Sequence, residues 1–110
     1  MTAKKSEKNT LVVLNLDRPR FLKYGHKALK KLQGITGKNL ANLNPEDFTM
    51  EELEKVIYCG LLSDAKEHNE TLKLEDMEDI LDEAPSFAHV LEGMNKAFDL
   101  AFEHTEKQKN

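Results

Sequence analysis

The segment Phe48–Leu81, FTMEELEKVIYCGLLSDAKEHNETLKLEDMEDIL, decides the fold class of this chain. Its apolar residues fall at Met50, Leu53, Ile57 and Leu61, then at Leu74, Met77 and Leu81, the three-and-four spacing that lines one face of an α-helix. Two short amphipathic helices flanking a polar loop, Asp64 to Thr71, follow from that spacing, and both apolar faces must be buried on something. Thr49 followed three residues later by Glu52 is a capping box, in which hydroxyl and carboxylate satisfy orphan backbone N–H groups at the helix start. Gly60 interrupts the apolar face near the far end of the first helix, where glycine costs about 1 kcal/mol relative to alanine. Close approach of another backbone is one physical reason to accept that cost.

Towards the N-terminus, Leu11–Leu16 (LVVLNL) is β-branched and apolar and meets Asp17-Arg18-Pro19-Arg20, where proline presets φ for a turn. A second short strand, Phe21–Tyr24, completes a hairpin; a helix with Pro19 in its first turn is the rival, which Gly25 would interrupt. His26 to about Gln33 reads as a short helix with a basic outer face of Lys27, Lys30 and Lys31, ended by Gly34 and Gly37. Leu40 and Leu43 suggest one helical turn before the Asn44-Pro45 break. Towards the C-terminus, Pro85 ends the Leu74–Glu83 helix and Ser86 caps the last one. That last helix carries the stripe Phe87, Leu91, Met94, Phe98 and Phe102, widened by Val90, Ala97 and Ala101. The chain is thus mainly α: a small domain of about four helices with a short N-terminal β-hairpin over residues 10–104, with α+β as the alternative. Residues 1–9 and 105–110 are expected to be disordered polar tails.

With 110 residues, 39% hydrophobic and 33% charged, the chain suits one water-soluble domain with a modest core. No apolar run approaches membrane-spanning length and MTAKKSEKNT lacks an apolar signal core, so a cytoplasmic location and no membrane partner are expected. One cysteine cannot form an internal disulfide. The net charge of −4 hides an asymmetry: residues 1–40 carry +8, and residues 41–110 carry −12. A basic segment packed near an acidic body is the simple reading, and self-association or capture of a charged partner is the sharper one.

No residue pattern points to catalysis, a cofactor or a metal. Cys59 lies in VIYCGLL without a neighbouring cation to lower its pKa, and His26, His68, His89 and His104 form no local signature with it. Glu75, Asp76, Glu78, Asp79, Asp82 and Glu83 lack the alternate spacing and central glycine of a calcium loop and read as the wet face of a helix. Gly34-Ile35-Thr36-Gly37-Lys38 is too short for a P-loop, and Asn39 stands where a magnesium-binding Ser or Thr would be. The same G-x-x-G, set among Lys27, Lys30, Lys31 and Lys38, admits a KH-like nucleic-acid contact. Against that, the chain continues into an acidic capped helix, and a glycine pair that ends a helix is the commoner explanation.

The order of landmarks resembles a known family. Leu22 and Tyr24, Ala28-Leu29, Leu32 before Gly37-Lys38, Tyr58-Cys59-Gly60-Leu61-Leu62 and Leu72-Lys73-Leu74-Glu75-Asp76-Met77 together look like the tail assembly chaperones of long-tailed bacteriophages, in the version found in phages and prophages of Gram-positive bacteria. The similarity spans about Leu11 to Phe102. It implies a small helical protein of the host cytoplasm, without catalytic residues, that binds the long apolar tape measure protein, keeps it soluble and leaves before the virion is complete. The tail tube protein is a further partner the resemblance allows. Leu91, Met94, Phe98 and Phe102 on the last helix are the candidate partner-binding residues, the alternative being that the whole stripe is core. The family also makes a longer product by ribosomal slippage near the end of the short reading frame. Gln108-Lys109-Asn110 can be encoded as CAA-AAA-AAC, which contains such a slippery run.

Overall fold

The computed structural model describes residues 11–39 and 44–109, with the backbone alone for 103–109. Two strands, β1 (Val12–Asn15) and β2 (Pro19–Leu22), pair antiparallel with Val12 opposite Leu22 and Leu14 opposite Arg20. Four helices follow: α1 (His26–Thr36), α2 (Met50–Glu67), α3 (Met77–Asp82) and α4 (Phe87–Lys109), with 3-10 turns at Pro45–Asp47 and Leu74–Asp76. The mainly helical domain with an N-terminal hairpin is the class expected. The segment 1–9 and the helical turn expected at Leu40–Leu43 lie outside the described residues.

Period-two alternation sets the hairpin's faces. Val12, Leu14 and Leu16 from the first strand and Arg20, Leu22 and Tyr24 from the second face inward, while Leu11, Val13 and Asn15 are exposed. The connection is Leu16–Arg18, shorter than expected: Pro19 and Arg20, read as turn residues, open β2 instead. Proline is tolerated at a strand's first position because its missing N–H is not needed there.

The inner face of the hairpin rests on α2 and α4. On α2 the contact centres on Gly60, whose carbonyl accepts the Lys23 N–H at 2.9 Å. The Tyr24 ring lies over the same glycine and its hydroxyl donates to the Val56 carbonyl at 2.7 Å. On α4 it centres on Gly93, over which the Leu14 side chain packs. Tyr24 then bridges the two helices by stacking on Phe98, ring centroids 4.7 Å apart.

Helix ends follow local chemistry. Both arms of the capping box form, the Glu52 N–H to Thr49 Oγ1 and the Thr49 N–H to Glu52 Oε1, each at 3.1 Å. α1 runs through Gly34, which was expected to help end it, and stops at Gly37, whose φ of 70° is the left-handed conformation that favours glycine. α2 continues to Glu67, four residues into the expected loop. It ends in a Schellman arrangement: Asn69 takes φ 54°, and the Glu70 and Asn69 N–H groups donate to the Ala65 and Lys66 carbonyls at 2.9 and 3.2 Å. The expected Leu74–Glu83 helix is divided into a 3-10 turn and the short α3. Ser86 Oγ accepts the His89 N–H at 3.1 Å, as expected of a cap, and α4 then runs through 105–109, which sequence alone assigns to a tail.

Candidate functional site

Two features stand out beyond the core. The first is a network of charges at the seam between the hairpin and the C-terminal end of α2. Asp64 is 1% exposed and Arg20 3% exposed, positions that ionised groups occupy only when paired. Arg18 donates to Asp64 Oδ1 at 2.6 Å and to Glu70 Oε1 at 2.8 Å. Arg20 grips Asp17 through two hydrogen bonds of 2.8 Å and reaches Glu70 at 2.8 Å. The second Asp64 oxygen accepts the Phe21 backbone N–H at 3.0 Å. Hydrogen bonds from Arg18 hold the Glu70 carboxyl below its ordinary range, and Arg20 does the same for Asp17; both guanidiniums are pushed correspondingly upward. Among the described residues every buried side-chain polar atom has a partner, so this network is satisfied internally and works as a clasp between hairpin and helix.

The second feature is open. Where the first turns of α2 meet α3 and the start of α4, Met50, Leu53, Leu81, Ala84, Phe87 and Val90 line a cleft of about 540 Å³. Leu53 and Val90 are buried and belong to the core, whereas Met50 is 63% and Phe87 52% exposed. The cleft therefore has a floor continuous with the core and two large apolar side chains standing unburied at its mouth. Its rim carries Glu54, Glu78 and Asp82, and no lysine or arginine lines it. None of those three acids forms an ion pair among the described residues.

The residues that the sequence nominates for partner binding divide on folding. Met94 is fully buried and Phe98 is 7% exposed, both in the core cluster, so neither is available as a docking surface in this fold. Leu91 is half-buried, and Phe102 is 37% exposed while stacking on Phe98 at a centroid distance of 6.1 Å. Helical phase explains these two: the buried face of α4 is centred on Val90, Met94, Ala97 and Ala101, and at 100° per residue Leu91 and Phe102 fall to its flank. Phe87 shares the phase of the buried Met94 and Phe98 and is exposed as the first residue of the helix, at the mouth of the cleft. The cleft residues Met50 and Phe87 appear in the sequence as ordinary members of two helical stripes, and no sequence signal marks them as unburied. Gly93 carried a readable signal, a glycine inside a long helical pattern, of the same kind as Gly60.

Chemistry is placed elsewhere by none of the other candidates. Cys59 is fully buried, and burial pushes its thiol up to about 11, so it stays a protonated packing residue near neutral pH. Gly34 lies within α1 and Gly37 alone makes the turn, so the G-x-x-G forms the last turn of a helix and not a loop between two. Among the described residues no group of three histidine, cysteine or acidic side chains is arranged to hold a metal ion, and no helix is long and apolar enough to cross a membrane. Compared with known protein families, with curated proteins and with solved structures, the chain matches none.

Proposed function

We propose that this protein is a tail assembly chaperone of a long-tailed phage or prophage, which binds the tape measure protein during tail assembly and keeps it soluble. The observation that carries the reading is the open, acid-rimmed cleft: Met50 and Phe87 stand exposed at the mouth of an apolar depression on an otherwise heavily charged domain. Exposed apolar surface bounded by polar residues is what a protein-binding site requires. The landmarks that carry the family resemblance support it from the other side. Tyr58–Leu62 forms the stretch of α2 that receives the hairpin, and Leu72–Met77 forms the turn that leads into α3. A nucleic-acid-binding reading has less support, since its G-x-x-G is the end of a helix.

The test is co-expression with the very long, coiled-coil-rich protein that this reading expects a neighbouring gene to encode. The tape measure protein should move from the pellet to the soluble fraction and co-elute with this chain. Equal insolubility with and without the chain would overturn the reading, as would a gene neighbourhood that encodes no such protein.

A further inference from the structure

We infer that the cleft between α2, α3 and α4 accepts an amphipathic helix with an apolar face flanked by lysine or arginine. The inference rests on reading the cleft as a partner surface, and it adds the chemistry of the segment bound there. The shape argues for a helix. The cleft is walled by side chains of α2, α3 and α4 and of the short connection between the last two, and no strand borders it, so it offers no strand edge to an extended segment. A helix brings its own backbone hydrogen bonds and needs only side-chain contact. The lining suits that occupant: Met50 and Leu53 are one turn apart on α2 and Phe87 and Val90 one turn apart on α4, with Leu81 of α3 and Ala84 of the connection beside them. Apolar side chains at one-turn spacing thus stand on both walls.

The sign of the flanking charge follows from the rim. Glu54 stands on the α2 side and Glu78 and Asp82 on the α3 side, so both lips of the cleft are anionic, and among the described residues no ion pair neutralises either. An incoming helix with acidic flanks would place like charges across the seam, which costs more than the apolar contact gains at so small a site. A helix with basic flanks closes the cleft with opposite charges at its edge, where the gain is in orientation and encounter rate, while Met50 and Phe87 supply the buried anchors. The acidic half of the chain thus has a use beyond solubility: it selects which apolar helices are taken up.

Two synthetic helical peptides of about 18 residues, long enough to fold on contact, test this directly. One has a leucine face flanked by lysine, the other the same face flanked by glutamate, each labelled for fluorescence anisotropy with the full chain at near-physiological salt. The lysine peptide should bind and the glutamate peptide should not. Replacing Met50→Ser and Phe87→Ser together should weaken binding by about tenfold or more, since both side chains are anchors. Circular dichroism should show an unchanged melt for this pair, because both side chains are largely exposed. Glu78→Lys with Asp82→Lys should shift the preference towards the glutamate peptide, whereas Glu92→Lys with Asp99→Lys, an equal change of charge on the exposed side of α4, should leave that preference as it was. No binding, equal binding of both peptides, or binding insensitive to the cleft substitutions would overturn the inference. The assay contains no tape measure protein. If the lysine peptide binds as stated while co-expression fails, the assembly role falls and the cleft stands; if co-expression succeeds while the peptide result fails, the reverse holds.

Discussion

A methyl group added at residue 60 would lie 2.7 Å from both Leu22 Cδ2 and the Tyr24 ring, closer than real Cβ atoms come to their neighbours. Neither neighbour has room to retreat. Leu22 is fully buried, and Tyr24 is held by its hydrogen bond to the Val56 carbonyl at 2.7 Å. Burial also pushes the Tyr24 hydroxyl well above its usual range, so that bond is made by the neutral phenol throughout the accessible pH range. Gly60→Ala should therefore destabilise the fold by about 1–3 kcal/mol, the usual effect of overpacking a filled core, despite alanine's better helix propensity. Gly34→Ala is the counterpart. Residue 34 is also helical, but an added methyl group there meets nothing within 4 Å, so only the propensity gain remains, up to about 1 kcal/mol of stabilisation. Urea unfolding of the two variants should move the midpoint in opposite directions. The same direction for both would mean that Gly60 is helical filler, with no part in receiving the hairpin.

The clasp between hairpin and α2 ties two elements that share no continuous backbone hydrogen bonding beyond the Lys23 to Gly60 contact. Asp64→Ala would strip Arg18 of its 2.6 Å partner, leaving it Glu70, and leave the Phe21 N–H without its acceptor, a loss of about 1–3 kcal/mol for an unsatisfied buried donor. Asp64→Asn keeps an acceptor for Phe21 and should lose less. Glu70 and Asp17 give the clasp a pH dependence whose direction is fixed: their folded pKa values lie below the unfolded ones. Their contribution is thus fully present at neutral pH and is lost as pH falls through and below about 4. The melting temperature should drop over that range, and Glu70→Gln with Asp17→Asn should narrow the drop. These elements also divide what was legible in the sequence from what was not. The capping box at Thr49 and Glu52, the β-branched apolar run Leu11–Leu16 that supplies the first strand, and the close approach at Gly60 are local signals, and each formed. Asp64 falls in a stretch that sequence alone assigns to a loop, since no large apolar side chain occurs from Asp64 to Thr71; its burial is decided by Arg18 and Arg20, more than forty positions away in sequence. Asn69 was the one local hint that α2 runs on to a left-handed stop. The hairpin register likewise turned on Arg20, a charged residue whose inward position makes sense only beside Asp17 and Glu70.

Across the molecule, α4 separates two surfaces that compete for the role of partner site. One is the cleft at its beginning, with Phe87; the other is its far end, with Phe102 exposed on the flank of the core. Fifteen residues of helix set them about 22 Å apart, so substitutions at one leave the other in place. Their environments differ in kind. The cleft is concave, so a bound side chain is surrounded and desolvated, the condition under which a few anchors dominate affinity. Phe102 packs against Phe98 and is 37% exposed, against 52% for Phe87, so burial by a partner gains less area there. The sequence, which shows only that both phenylalanines lie on one stripe, could not rank them, because concavity arises from how α2 and α3 meet α4. The ranking predicts a split outcome in co-expression with the tape measure protein. Phe102→Asp should leave most of the tape measure protein soluble and associated, with at most a small fall in melting temperature from the lost stack on Phe98. Met50→Ser with Phe87→Ser should return it to the pellet while the chain itself stays folded by circular dichroism. If Phe102→Asp abolishes association and the cleft pair does not, the partner is held at the far end of α4 and the cleft is a by-product of packing a six-residue helix between two longer ones.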